Sequence, residues 1–150
     1  MKIKPENASC AIIKDKKNNF LLQKRDNKKG IFFPNHWGLF GGAKNNNETY
    51  LNAVIREINE ELGINSKNTF FFMNLKFDMK NIINKEINRY CFISEFNDLK
   101  KLKIKLTEGE KYKIFNKKDL INFISKKNLI VPYDHLVIWF YLNKKKLISY

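Results

Sequence analysis

The stretch Gly42 to Ile64 reads GAKNNNETYLNAVIREINEELGI. Leu51, Ile55, Ile58 and Leu62 fall at i, i+4, i+7 and i+11, the spacing of one face of an amphipathic helix, so a helix is expected over Asn47–Leu62. Asn47 is the expected N-cap, Glu48 suits the positive end of the helix dipole, and Gly63 is the expected stop. On that helix Glu57 lies three residues before Glu60 and four before Glu61, which crowds three carboxylates along one edge, opposite the apolar stripe. Like charges at these spacings cost roughly 0.2–0.5 kcal/mol per pair, so the cluster requires a cation. Arg56, beside Glu57 and four before Glu60, supplies part of it through a guanidinium fork. The remaining charge suits a divalent ion, and all-oxygen ligation with no His or thiolate nearby is the chemistry of Mg²⁺ or Mn²⁺. Gly41 and Gly42 precede the helix, where missing side chains let backbone groups approach a metal or a pyrophosphate. Taken alone, E-x-x-E-E is also the pattern of a solvated acidic helix face.

The spacing across the whole stretch separates these readings. It resembles the signature of the Nudix hydrolase superfamily, G-x5-E-x7-R-E-U-x-E-E-x-G-U with U a bulky apolar residue. The match runs through Gly42, Glu48, Arg56, Glu57, Ile58, Glu60, Glu61, Gly63 and Ile64. Phe40 stands where many relatives carry Pro. The resemblance implies an α/β chain with a Nudix-type αβα sandwich around a mixed β-sheet. It also implies hydrolysis, with Mg²⁺ (Mn²⁺ substituting), of the pyrophosphate linkage in a nucleoside diphosphate joined to another moiety: a nucleotide sugar, a dinucleotide or a nucleoside triphosphate. Carried across by position, Glu57, Glu60 and Glu61 are the metal cluster, and Glu57 is also a candidate base for water. Glu48 is an auxiliary or outer-sphere ligand, Gly41 a backbone-carbonyl ligand, and Arg56 the residue that orients the glutamates. Glu108, in Leu106–Glu110, is a candidate additional base or metal ligand, or equally an ordinary exposed acid. The family resemblance also allows a homodimer.

A different class of function is a non-catalytic Nudix-fold module that binds a nucleotide or RNA. The complete carboxylate set weighs against it. An isomerase of the same fold acting on an isoprenoid diphosphate would call for a further catalytic Cys and Glu, which Cys10 and Cys91 do not supply.

Outward from the helix, Ala8–Lys14 and Phe20–Arg25 are apolar runs joined by Asp15–Asn19, a hairpin composition. Asp26–Pro34 reads as a loop and Trp37–Gly41 as a short strand. Phe70–Asp78, Arg89–Phe96 and Tyr112–Phe115 read as further strands. Lys117–Ser125 and Pro132–Asn143 read as helices, the second with a stripe through Leu136, Trp139 and Phe140. A mixed sheet flanked by helices in one domain, residues 1–150, follows. Arg25, with Lys24, is placed to meet phosphates. Phe32, Phe33, His36 and Trp37 are candidates to stack on a base or sugar, with core packing the alternative for Phe33 and Trp37. His135 reads as a capping or surface residue, and Cys10 and Cys91 as two buried free thiols.

The chain has 150 residues and a formal charge of +14, from 29 Lys and Arg against 15 Asp and Glu. Only Arg25, Arg56 and Arg89 are arginines; the other 26 cations are lysines, accompanied by abundant Asn and Ile. All three residue types have A/T-rich codons, so the charge carries little weight for a nucleic-acid partner, whose readout leans on Arg forks. The expected partner is a small nucleotide. No apolar leader follows Met1 and the longest apolar run is Leu136–Leu142, so a cytoplasmic protein without a membrane span is expected.

Overall fold

The computed structural model describes residues 5–126 and 129–148. Strands β1 (Ala8–Asp15) and β2 (Asn19–Lys24) form the expected hairpin. They are followed by β3 (Trp37–Gly38), β4 (Phe40–Ala43) and helix α1 (Tyr50–Leu62). Then come β5 (Thr69–Asp78), the short helix α2 (Lys80–Ile83), β6 (Glu86–Phe96) and a 3₁₀ turn at Leu99–Lys101. Strand β7 (Lys111–Asn116) and helices α3 (Lys117–Ser125) and α4 (Pro132–Ile148) complete the order.

The sheet runs β3-β2-β1-β6-β5, with β4 added on β1 and β7 on β2. Strands β1 and β6 are parallel, in register from Ala8 opposite Arg89 to Asp15 opposite Phe96, whereas the other pairs are antiparallel. The sheet is therefore mixed, and it is covered on both faces. Alternation along β1 makes the two cores. Ala11 and Ile13 pack with Val54, Ile58 and Leu62 of α1, while Cys10 and Ile12 pack with Leu120 of α3 and with Val137 and Ile138 of α4. Among the described residues no helix is long and apolar enough to cross a membrane.

Four local expectations need correction. Helix α1 begins at Tyr50, and its N-cap is Thr49, whose side chain accepts the Asn52 N–H, not Asn47. The reason lies in Glu48: its carboxylate accepts the backbone N–H of Asn45 and two bonds from Arg56, which holds the preceding asparagines in a loop. The helix also buries Ala53, Val54, Ile58 and Leu62, leaving Leu51 exposed and Ile55 half-buried. The expected strand Trp37–Gly41 breaks at Leu39, because the Leu39 N–H donates at 2.9 Å to the Asp134 carboxylate. This break lets Trp37–Gly38 pair with β2 and Phe40–Ala43 with β1. Helix α4 runs on to Ile148 and buries Asp134, Val137 and Ile138, while Leu136 and Trp139 face solvent.

Candidate active site

Strand β4 lies against α1, and two glycines permit the approach. Gly41 has φ +137°, and a Cβ there would run into the backbone of Ser9 and Cys10. A Cβ on Gly42 would sit 2.6–2.8 Å from the Glu57 carboxylate. Gly41 therefore excludes any side chain, and one at Gly42 would displace the Glu57 carboxylate, which rests directly on the β4 backbone.

Arg56 is the hub of the carboxylates. Its Nε donates at 3.1 Å to Glu48 Oε2 and its Nη2 at 2.6 Å to Glu48 Oε1, a fork that draws the Glu48 carboxyl down to about 2. Nη1 donates at 2.6 Å to Glu57 Oε1 and at 3.0 Å to Glu60 Oε2. Nη2 also reaches the Ala43 carbonyl, tying α1 to β4. Glu48 is thus spent on Arg56 and the Asn45 backbone. Glu60 sits at the rim, its side chain 58% exposed. Burial raises the Glu57 carboxyl above the usual range, against the lowering effect of Arg56.

Glu61 is the buried member of the set, 5% exposed, and among the described residues its Oε2 has no hydrogen-bond partner. Burial, reinforced by the charges of Glu57 and Glu108, pushes its carboxyl up to about 8, while a backbone hydrogen bond from Gly41 and the charge of Arg25 act in the opposite direction. Glu108 reaches the same space from the loop before β7. That loop is stapled to the end of α1 by Thr107, which donates from its backbone N to the Glu61 carbonyl and from its hydroxyl to the Glu60 carbonyl. On its other side the Glu110 N–H donates to the Lys24 carbonyl.

Glu57, Glu61 and Glu108 line a polar lobe of about 300 Å³ together with Arg25, Gly41 and Gly42. An adjoining lobe of about 500 Å³ shares Arg25, Gly41 and Gly42 and is walled by Phe32, Phe33, Phe77 and Tyr133, with Arg89 among its lining. Arg25 therefore stands where the lobes meet; its Nε donates to the Phe32 carbonyl and its backbone N to the His36 carbonyl. Phe33 is held edge-on by His36 and Tyr133. His36 lies behind it, with Nδ1 2.8 Å from the Pro34 carbonyl, and does not line either lobe. Trp37 is set in the core, edge-on to Phe115 and Phe123, because pairing of β3 with β2 turns its indole away from the cleft. His135 ties α4 to the Ile124 carbonyl of α3. Sequence reading did not find Arg89 and Tyr133; the available signal was an arginine inside the apolar run of β6, one of only three in the chain.

Among the described residues no three His, Cys, Asp or Glu side chains converge as a ready-made cage. The physical reason is Arg56, which occupies Glu57 Oε1 and Glu60 Oε2. The donor set nonetheless fits a hard divalent cation. It is all oxygen, and the buried Glu61 Oε2 beside the glycine backbone is an acceptor to which none of the described residues donates. Glu57, Glu60, Glu61 and the Gly41 carbonyl are the groups that would hold it.

The model of the NUDIX domain matches residues 4–140. This chain belongs to the NUDIX domain family. Three solved structures share its fold. The MutT protein of Methanosarcina mazei Go1 superposes with a TM-score of 0.72 at 20% identity, over 97% of this chain and 98% of that one. The NUDIX domain of Shewanella oneidensis NrtR, complexed with ADP ribose, gives 0.69 at 14% identity over 97% and 90%. The bifunctional NMN adenylyltransferase/ADP ribose pyrophosphatase of Francisella tularensis, complexed with AMP and Mn ion, gives 0.67 at 18% identity over 95% of this chain and 42% of that one. No curated protein matches the Nudix chain by sequence.

Proposed function

We propose that the protein hydrolyses the pyrophosphate linkage of a nucleoside diphosphate joined to another moiety, with Mg²⁺ or Mn²⁺ held by Glu57, Glu61, Glu60 and the Gly41 carbonyl. The observation that carries this reading is Glu61: a buried carboxylate, with an oxygen left unpartnered among the described residues, in the lining of a polar lobe that adjoins an apolar one. The ADP ribose bound by the Shewanella domain is a nucleoside diphosphate joined to another moiety, and the AMP bound by the Francisella protein is the kind of monophosphate that cleavage of such a compound releases.

A diphosphate bridge repels an incoming nucleophile by its charge. The cation, when bound, supplies positive charge against the diphosphate oxygens and lowers the pKa of water. Arg25, at the junction of the lobes, binds phosphate and keeps the scissile bond over the polar lobe. Arg56 fixes Glu57 by its Oε1, so Oε2 is the oxygen left to take a proton from the attacking water. The raised carboxyl of Glu57 makes it a better proton acceptor than an ordinary exposed glutamate. Glu108 faces this centre across the lobe as a further acid, and Glu48 acts through Arg56 as a positioning residue.

A screen of nucleoside triphosphates, nucleotide sugars and dinucleotides with Mg²⁺, run in ¹⁸O-water, tests the reading. The expected result is label in one phosphate product after a single turnover, lost in Glu57→Gln and Glu61→Gln. Turnover that survives both substitutions would remove the site assignment, and label-free products would remove the direct attack of water.

A further inference from the structure

The apolar lobe contains one feature that hydrolysis does not use. Arg89 projects from β6, where its backbone pairs with Ala8 of β1 and Leu75 of β5, and its side chain keeps only 16% exposure. Its Nη2 donates at 3.1 Å to Asp134 Oδ1, and the Tyr133 ring lies 4.3 Å from the guanidinium. Asp134 is itself fixed: it is 2% exposed, its Oδ2 accepts the Leu39 N–H, and a Cβ at Gly38 would lie 2.6 Å from that oxygen. A rigid guanidinium therefore borders a lobe walled by Phe33, Phe77, Ile87 and Tyr133.

We propose that Arg89 selects the nucleobase, and that the lobe takes a 6-keto purine in preference to a 6-amino purine. This rests on the hydrolase reading for the rest of the substrate. Aromatic and aliphatic walls suit a flat heterocycle. Paired with Asp134, Arg89 adds no net charge to the lobe, so an anionic group gains less there than at Arg25; a neutral acceptor fits better. A guanidinium has five N–H donors and no acceptor; Asp134 takes one through Nη2, Cys10 engages another, and Nε is buried without a partner among the described residues, so donors remain for a ligand. Adjacent donors match the O6 and N7 acceptors that guanine and hypoxanthine place side by side. Adenine sets an amino donor where O6 would be, facing donor with donor.

Inosine and adenosine nucleotides differ at this edge by the one exchange of keto for amino, so they form the test. IMP is expected to bind the wild-type protein about tenfold or more tightly than AMP in titration calorimetry, and ITP and GTP to exceed ATP in kcat/KM by a similar factor. The double substitution Arg89→Met with Asp134→Asn, which avoids stranding a buried carboxylate, brings both ratios to within about twofold. Equal binding of IMP and AMP overturns the inference whether or not the variant folds, as does a ratio that the folded variant retains. A preserved IMP preference without turnover of any nucleotide would support Arg89 and defeat the hydrolase reading instead.

Discussion

Glu61 combines a destabilising position with a chemical use. In the folded chain its carboxyl sits at about 8 rather than the ordinary 4.5, chiefly through burial. Between those values the unfolded chain has released the proton and the folded chain has not, so rising pH favours unfolding by about 1.36 kcal/mol per unit from this group. Metal-free protein should therefore lose thermal stability between about pH 5 and pH 8. Glu61→Gln, neutral throughout, should flatten that slope, unfold at higher temperature than wild type at pH 7.5, and lose turnover by about 10²-fold or more. Thermal scans in a chelator beside initial rates in Mg²⁺ measure both; a variant less stable than wild type at pH 7.5 would contradict the account. The glycines separate folding from chemistry at single-residue resolution. Gly41→Ala meets the Ser9 backbone, which cannot move without opening the β1–β4 pairing, so it should lower the unfolding temperature. Gly42→Ala meets only the Glu57 side chain, which Arg56 holds from the other side at 2.6 Å. It should retain the fold and lose about 10²-fold in kcat/KM, the order of cost of a misplaced catalytic group.

Among the elements, the β1–β2 turn is fixed by one carboxylate. Asp15 is fully buried and accepts the N–H groups of Lys17 and Asn19, the Asn19 amide and the Leu99 N–H, the last tying the turn to the 3₁₀ segment. Burial alone would raise its carboxyl, but these bonds prevail and hold it below 3.8. A depressed carboxyl adds stability above its unfolded value and loses it as pH falls through the folded one. Acid should therefore weaken the wild type below about pH 4, and Asp15→Asn should cost roughly 1–3 kcal/mol at pH 7 with a shallower acid limb, read from urea midpoints. Helix α1 illustrates what sequence can and cannot carry. Its carboxylate cluster was legible because Glu57, Glu60 and Glu61 lie three and four residues apart on one helix. Its N-cap was not, since Thr49 wins over Asn47 only through Glu48 reaching Arg56, eight residues on. The break at Leu39 was further from view, because its cause is Asp134, 95 residues away. Arg89 was hidden for the same reason: neighbours in sequence mark β6 as apolar, and only the packed α4 supplies its counter-ion.

Across the whole molecule, one sheet brings the two lobes together. Strand β4 on β1 delivers Gly41 and Gly42 to α1, while the parallel pairing of β1 with β6 sets Arg89 beside the same strand, so the polar and apolar lobes share one backbone segment. The charge distribution has the same two-part character. The polar lobe is an island of acids, Glu57, Glu61 and Glu108, within a chain of net charge +14, most of it lysine. A neutralised island inside a cationic surface attracts a polyphosphate from beyond contact distance, and that attraction acts on encounter rather than on the chemical step. Its range is about 10 Å at 0.1 M salt and about 30 Å at 0.01 M. At fixed, saturating Mg²⁺, raising KCl from about 0.01 M to about 0.3 M should therefore lower kcat/KM several-fold for a triphosphate, less for a dinucleotide of smaller charge, with kcat unchanged. If kcat fell in parallel, salt would be acting on Arg25 or Arg56 inside the cleft. If neither changed, the lysines would be surface composition without a role in substrate capture, and Arg25 would carry phosphate recognition alone.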